Sequence, residues 1–325
     1  MKIKAIRIHE QGPAENMRVE AVDLPAPKAA EVRVRHEAIG VNYIDTYHRS
    51  GLYKLPLPTS LGMEAAGIVD AVGGAVETLR VGDRVAYCSG PIGAYAEANN
   101  VNAARTVKLP DGVTSDAAAA MLLKGLTVQY LFRQTYVLSR GETILFHAAA
   151  GGCGLIACQW AKQLGVTMIG TVSSAEKAKL AMAHGCAHTI DYSHEDVAAR
   201  VAELTGGKKV PVVYDGVGKD TFNASLDSLA PRGLLVSFGN ASGPVTGVDL
   251  GILSAKGSLY LTRPTLATYT ATSESLHAAA DELFGLVARG AITPDISRRY
   301  KLADAADAHR ALQGRGTTGS ILLTP

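Results

Sequence analysis

The chain has 325 residues, 47% of them hydrophobic, with 32 Lys and Arg against 30 Asp and Glu for a formal charge of +2. The length exceeds what one core usually serves and predicts two domains, while balanced charge without a long Lys/Arg cluster argues against nucleic acid as main partner or an acidic membrane surface. Four cysteines without paired spacing (Cys88, Cys153, Cys158, Cys186) argue against a disulfide framework and for a reducing compartment.

From residue 1 to about 120 the pattern is strands and turns. Met1 to Ile8 alternates charged and apolar residues as a strand does and lacks the apolar block of a signal peptide. No run approaches the ~20 apolar residues of a membrane span, so a cytoplasmic protein without membrane insertion is expected. Glu31 to Ala38, Ala66 to Val72 and Arg84 to Tyr87 read as further strands, the last entered by a tight turn at Gly82-Asp83. This predicts a mainly β domain over residues 1–120.

From 121 to 265 short apolar strands alternate with helices, which implies parallel βαβ units. The strands are Thr143 to Phe146, Met168 to Val172, Thr189-Ile190, Val210 to Tyr214, Leu234 to Phe238 and Ser258 to Leu261. Residues 266–325 then carry a helix, Ser273 to Arg289, with Leu276, Ala280, Leu283, Phe284 and Val287 on one face, and a last strand, Gly319 to Leu323, that could return to the first domain.

Between the strand at Glu142 to His147 and the helix at Leu155 to Leu164 lies the glycine turn Ala148-Ala149-Ala150-Gly151-Gly152-Cys153-Gly154. A strand, a glycine turn and a helix start make a phosphate cradle, because glycine lets the backbone approach a pyrophosphate and the free N–H groups and dipole attract the anion. Aligned to G-x-G-x-x-G, the first glycine is replaced by Ala149. Dinucleotide binding is expected, the alternative being a purely structural turn. An NAD site usually places a carboxylate about 20 residues beyond the glycines. Here Ser173, Ser174 and Lys177 stand there instead, which favours the 2′-phosphate of NADPH over a merely solvated helix start.

This order of parts resembles the medium-chain dehydrogenase/reductase superfamily. The blocks Glu37 to Tyr47, Arg49 to Tyr53, Leu61 to Gly67, Tyr214 to Gly218 and Val236 to Asn240 are similar to NADPH:quinone oxidoreductases of the zeta-crystallin type, over nearly the whole chain. The resemblance implies an α/β fold: a Rossmann doubly wound parallel sheet domain over 121–265, plus a mainly β GroES-like catalytic domain over 1–120 to which 266–325 returns.

Many members of that superfamily hold zinc, which needs three protein ligands at a catalytic site. Asn42 stands at the first cysteine position, Met63 replaces the histidine of a Gly-His-Glu motif, and Leu123 to Thr127 offers no cysteine for the third. His9, His36 and His48 have no ligand spacing, so no metal is expected. Without a Lewis acid an ordinary ketone is a poor substrate, since its reduction creates a basic alkoxide. A quinone yields a resonance-stabilised hydroquinone anion, for which hydrogen-bond donors and solvent protons suffice. Quinone reduction is the favoured expectation; a zinc-free enone or alkenal reductase and an NADPH-binding structural or RNA-binding protein are the alternatives.

The resemblance also implies residue roles. Asn42 and Tyr47 would lie by nicotinamide and quinone, with Tyr53 and Arg263 shaping or polarising the substrate site. Thr127, Tyr130, Gly152, Cys153, Tyr192, Val217, Phe238, Gly239, Asn240 and Arg315 would join Ser173, Ser174 and Lys177 on the cofactor. Cys153 has no paired base and is not expected to be a nucleophile. A homodimer is implied through the apolar run Gly257 to Arg263, whose exposed edge needs a partner.

Overall fold

The computed structural model describes residues 1–325. They form two compact units, Met1–Leu126 with Thr270–Pro325, and Thr127–Tyr269.

The first unit begins with β1 (Lys2–Ile8), β2 (Arg18–Asp23), β3 (Glu31–Val41), α1 (Tyr43–Ser50), β4 (Thr59–Ser60), β5 (Glu64–Val72), β6 (Arg84–Cys88), β7 (Ala98–Asn102), β8 (Thr106–Lys108) and α2 (Ser115–Tyr130). In β1 Ile3 and Ala5 pack on one face and Ile6 and Ile8 on the other, while Lys2 and Lys4 stay in water. The predicted strand at Glu31 runs three residues further than expected, to Val41, because Ile39 and Gly40 pair antiparallel with Ala65 and Glu64 of β5. Helix α1 has no counterpart among the predicted elements.

The second unit contains β9 (Thr143–Phe146), α3 (Gly152–Leu164), β10 (Thr167–Val172), α4 (Ala175–Ala183), β11 (His188–Asp191), α5 (Val197–Leu204), β12 (Val210–Asp215), α6 (Phe222–Asp227), β13 (Leu229–Ser237), α7 (Gly251–Ala255), β14 (Tyr260–Thr262) and α8 (Leu266–Tyr269). Its six strands are all parallel, in the order β11-β10-β9-β12-β13-β14. Numbered along this unit, that is 3-2-1-4-5-6, the doubly wound arrangement whose strand order reverses between β9 and β12. Leu145, Ile169, Ile190, Val213 and Leu235 make its core, each fully buried side chain contributing about 1.5–3 kcal/mol. Helix α3 stops at Gly165, which adopts φ 69° and so the left-handed conformation expected there.

The chain ends with α9 (Ser273–Ala288), β15 (Ile296–Lys301), α10 (Ala305–Gln313) and β16 (Ser320–Thr324). β16 pairs with β3, Ile321 opposite Val41 and Leu323 opposite Ile39, so these residues complete the first unit's seven-stranded sheet. Its core joins Ile6, Val34, Ile39, Val69 and Val85 to Ile321 and Leu323.

Candidate functional site

In the second unit every strand delivers at least one of the expected residues at its carboxyl end. Gly152 and Cys153 open α3 after β9; Ser173 and Ser174 follow β10; Tyr192 follows β11; Val217 follows β12; Phe238, Gly239 and Asn240 follow β13; Arg263 follows β14. In a parallel sheet these ends share one edge, where ligands of doubly wound folds bind.

The turn at that edge is tightly built. Ala148 takes φ 57°, a left-handed conformation, and its N–H donates to Thr171 Oγ at 3.1 Å. A Cβ on Gly154 would fall 2.4 Å from the Ala148 carbonyl oxygen, so only glycine lets α3 lie this close to the chain leaving β9. α3 has no acidic residue in its first turn, which leaves the positive end of its dipole uncompensated. Across the switch point Gly239 repeats the device, its Cβ position being 2.2 Å from the Gly216 carbonyl.

Below this edge runs a buried polar chain absent from the predicted site. Asp215 Oδ1 accepts the N–H groups of Val217 and Gly218 at 2.8 and 2.9 Å, and Oδ2 accepts Ser225 Oγ at 2.8 Å. His147 joins Ser225 to Thr171, with ring nitrogens 3.0 and 3.1 Å from the two hydroxyls. Burial lowers the His147 pKa, so the ring is neutral and relays hydrogen bonds rather than charge. This chain fixes the loops after β9, β10 and β12 relative to one another.

Past β10, Ser174 caps α4 by accepting the Lys177 N–H at 3.3 Å, and Lys177 Nζ reaches Ser173 Oγ at 3.1 Å. Partial burial lowers the Lys177 pKa. Arg263 Nη1 donates to the Ser237 carbonyl at 2.7 Å, and the Tyr130 ring stacks on Tyr269 at 4.6 Å. Thr127, in the same helix as Tyr130, is buried; Tyr192 is exposed.

In the first unit, Asn42 follows β3 and caps α1, its N–H donating to Asp45 Oδ2 at 2.9 Å. Tyr47 lies in α1 and meets Tyr53 edge-on at 5.4 Å. Arg315 lies between α10 and β16, at φ 58°. Asn42 Nδ2 donates to the fully buried Glu64 at 2.8 Å. Glu64 also accepts the Leu123 N–H at 2.6 Å and lies 3.6 Å from Lys124 Nζ. Burial raises the Glu64 pKa, and the Lys124 charge with the two hydrogen bonds pulls it back. Beneath α1, Arg49 Nη1 meets His309 Nδ1 at 3.5 Å, His309 Nε2 meets Tyr95 Oη at 2.9 Å, and Tyr95 donates to Asp45 Oδ2 at 3.0 Å. Arginine only donates, so His309 Nδ1 accepts and Nε2 carries the proton. Burial holds His309 down to about 3 and pushes Asp45 up to about 7.

Residues 152–284 match the zinc-binding dehydrogenase family and residues 28–111 the alcohol dehydrogenase GroES-like domain. The chain is 62% identical over 323 residues to a quinone oxidoreductase of Pseudomonas aeruginosa, covering 99% of each. The chain belongs to the quinone oxidoreductase family. Within that family it superposes on the Escherichia coli quinone oxidoreductase complexed with NADPH with a TM-score of 0.98, at 51% identity, covering 99% of this chain and 100% of that one. It is also 43% identical to a 2-haloacrylate reductase of Burkholderia sp, covering 99% of both chains. Although one matching family is described as zinc-binding, no three His, Cys, Asp or Glu side chains gather here to hold a metal ion. Quinone oxidoreductases thus share the alcohol dehydrogenase architecture, and this member has no donor set for the metal.

Proposed function

We propose that this chain is an NADPH-dependent quinone reductase that works without zinc. Its full-length likeness to quinone oxidoreductases carries the reading, and the chemistry of its own residues agrees. Gly152 and Cys153 at the start of α3 would hold the pyrophosphate, and Lys177 with Ser173 and Ser174 the 2′-phosphate. Tyr192 would flank the adenosine, and Thr127, Tyr130, Val217, Phe238, Gly239, Asn240 and Arg315 would line the rest of the cofactor. The cramped positions Gly154 and Gly239, which no other residue fits, are what such a cradle requires.

When bound, NADPH supplies the hydride. Asn42 and Tyr47 are assigned to nicotinamide and quinone, with Tyr53 and Arg263 shaping or polarising the substrate site. Orientation and preorganised dipoles are the protein's contribution, since the hydroquinone anion is stabilised by its own ring and takes its last proton from solvent. The protein is assigned to the cytoplasm and, by its balanced charge, has no nucleic acid as main partner. A homodimer is assigned through β14, the sheet's edge strand, where Tyr260 is 61% exposed.

Anaerobic NADPH oxidation with 1,4-benzoquinone, a naphthoquinone and a set of enones tests the reading. Turnover with the quinones is expected. The 2-haloacrylate reductase likeness makes an activated alkene the second candidate, and turnover of enones alone would replace the quinone reading with it.

A further inference from the structure

The quinone-reductase reading leaves Lys124 and Glu64, the buried ion pair beside Asn42 in the first unit, without a role. Lys124, in α2, has a side chain only 8% exposed, and its Nζ finds no hydrogen-bond acceptor. Its ion-pair partner is Glu64 Oε2 at 3.6 Å, beyond hydrogen-bond length. An ammonium carries three N–H donors, and a buried donor left unmade costs about 1–3 kcal/mol. A lysine kept here merely to neutralise Glu64 would be expected to close on the carboxylate.

The same Oε2 atom accepts one hydrogen of Asn42 Nδ2 at 2.8 Å, and the second amide hydrogen is unspent. Two buried nitrogens, one of them cationic, are therefore anchored on a single oxygen with N–H groups to spare. Their anchor is rigid. Glu64 Oε1 is tied to the Leu123 N–H, and Gly40 leaves the carboxylate its space, since a Cβ there would fall 2.3 Å from Oε2.

We propose that Lys124 Nζ and Asn42 Nδ2 form a two-donor oxyanion site for the quinone oxygen that gains negative charge, with Lys124 a catalytic residue and Glu64 the positioning residue that holds both donors. The inference rests on the quinone-reductase reading. Reduction of the quinone takes two electrons and two protons: the electrons and one proton arrive as hydride from NADPH, the charge left on oxygen is met by the two donors, and the second proton comes from water. No bond to the protein forms. Donors fixed in a site shielded from water need no reorganisation as the charge develops, and one such donor is typically worth about 10²–10³ in rate.

The test uses two readouts. The cofactor-free protein is titrated with 4-nitrophenol, whose ionised form absorbs visible light. Wild type is expected to bind the anion and to lower the pH at which bound phenol ionises. Lys124→Met should lose that shift. Because this variant leaves Glu64 without its counter-charge, the neutral pair Lys124→Met/Glu64→Gln is measured beside it and should lose the shift equally. In turnover, both variants should fall about tenfold with 1,4-benzoquinone and about a hundredfold or more with less oxidising quinones, which lean harder on the donors. An unchanged phenol shift in the neutral pair, or an equal loss across all quinones, would reduce Lys124 to a counter-ion for Glu64. If wild type turns over no quinone, the parent reading fails, while the nitrophenol titration still decides whether the donors bind an oxyanion.

Discussion

Lys177 Nζ stands 3.1 Å from Ser173 Oγ immediately beyond β10, and a phosphate received by that pair gains a charge-assisted hydrogen bond of about 1.5–3 kcal/mol. Lys177→Ala should therefore weaken NADPH about ten- to a hundredfold and leave NADH nearly unchanged. Fluorescence titration with both cofactors checks this; equal losses would remove Lys177 from phosphate recognition. Asp45 supports a different kind of prediction. Burial moves its carboxyl from 3.8 up to about 7, so between those values the folded protein keeps a proton that the unfolded chain has released. The stability from this group is fully present below pH 3.8 and is lost as pH rises through about 7, on the order of a few kcal/mol. Asp45→Asn keeps an oxygen for Tyr95 and the Asn42 N–H but cannot titrate. Its Tm relative to wild type should rise from pH 4 to pH 8, and a flat difference would mean that Asp45 ionises as an ordinary carboxyl.

Helix α3 depends on one missing methyl group more than on the rest of its glycine run. A Cβ at Gly154 would meet backbone atoms of Ala148 and Ala149 at 2.4 and 2.5 Å, whereas one at Gly151 would meet only the Ala148 oxygen, at 3.3 Å. Gly154→Ala should therefore cost about 1–3 kcal/mol in stability and weaken NADPH, with Gly151→Ala clearly milder. Melting curves and cofactor titration on the pair would show it, and equal effects would rule out close packing as the reason for glycine at 154. The β9–α3 unit is legible in sequence because everything that defines it is local: an apolar run buried on both faces, a glycine turn, an apolar helix face. Helix α1 is not, because its buried residues are Asp45, Thr46, Tyr47, His48 and Arg49 and give no apolar stripe. Their partners Tyr95, His309 and Gln313 are far away in the chain. For the same reason the strand-end residues can be named from motifs, while the Asp215–Ser225–His147–Thr171 chain cannot. Lys124 enters a sequence reading only as a place without cysteine, and its meaning depends on Glu64, 60 positions earlier.

Across the whole molecule the six-stranded parallel sheet is open at β14, where Tyr260 and Leu261 are exposed on a strand of only three residues. An uncovered apolar edge is a ready template for a second strand, and the proposed dimer would use it. Light scattering at micromolar concentration should give twice the 33.9 kDa chain mass, and Leu261→Asp should shift the protein toward monomer. A wild-type monomer at that concentration would contradict the dimer. The division into units is legible only in part from sequence: the change from strands and turns to alternating strands and helices is visible near residue 120, but the boundary falls inside α2, after Leu126, where a continuous helix carries no compositional mark.

The two sides of β3 are finished at different times. β7 covers one edge from Glu31 to Arg35, and the stretch from Ile39 to Val41 on that edge waits for β16, the last five-residue strand of the chain. A ribosome adding about 5–20 residues per second delivers all six strands of the second unit before it delivers that one. The nascent protein thus holds a complete nucleotide-type sheet while the strand leading directly into Asn42 still has an open edge. A message cut short before Ser320 would release a chain whose second unit is entire and whose first unit offers bare backbone to any passing strand. Residues 320–324, delivered after the whole second unit, are the ones that close this edge of the segment before Asn42.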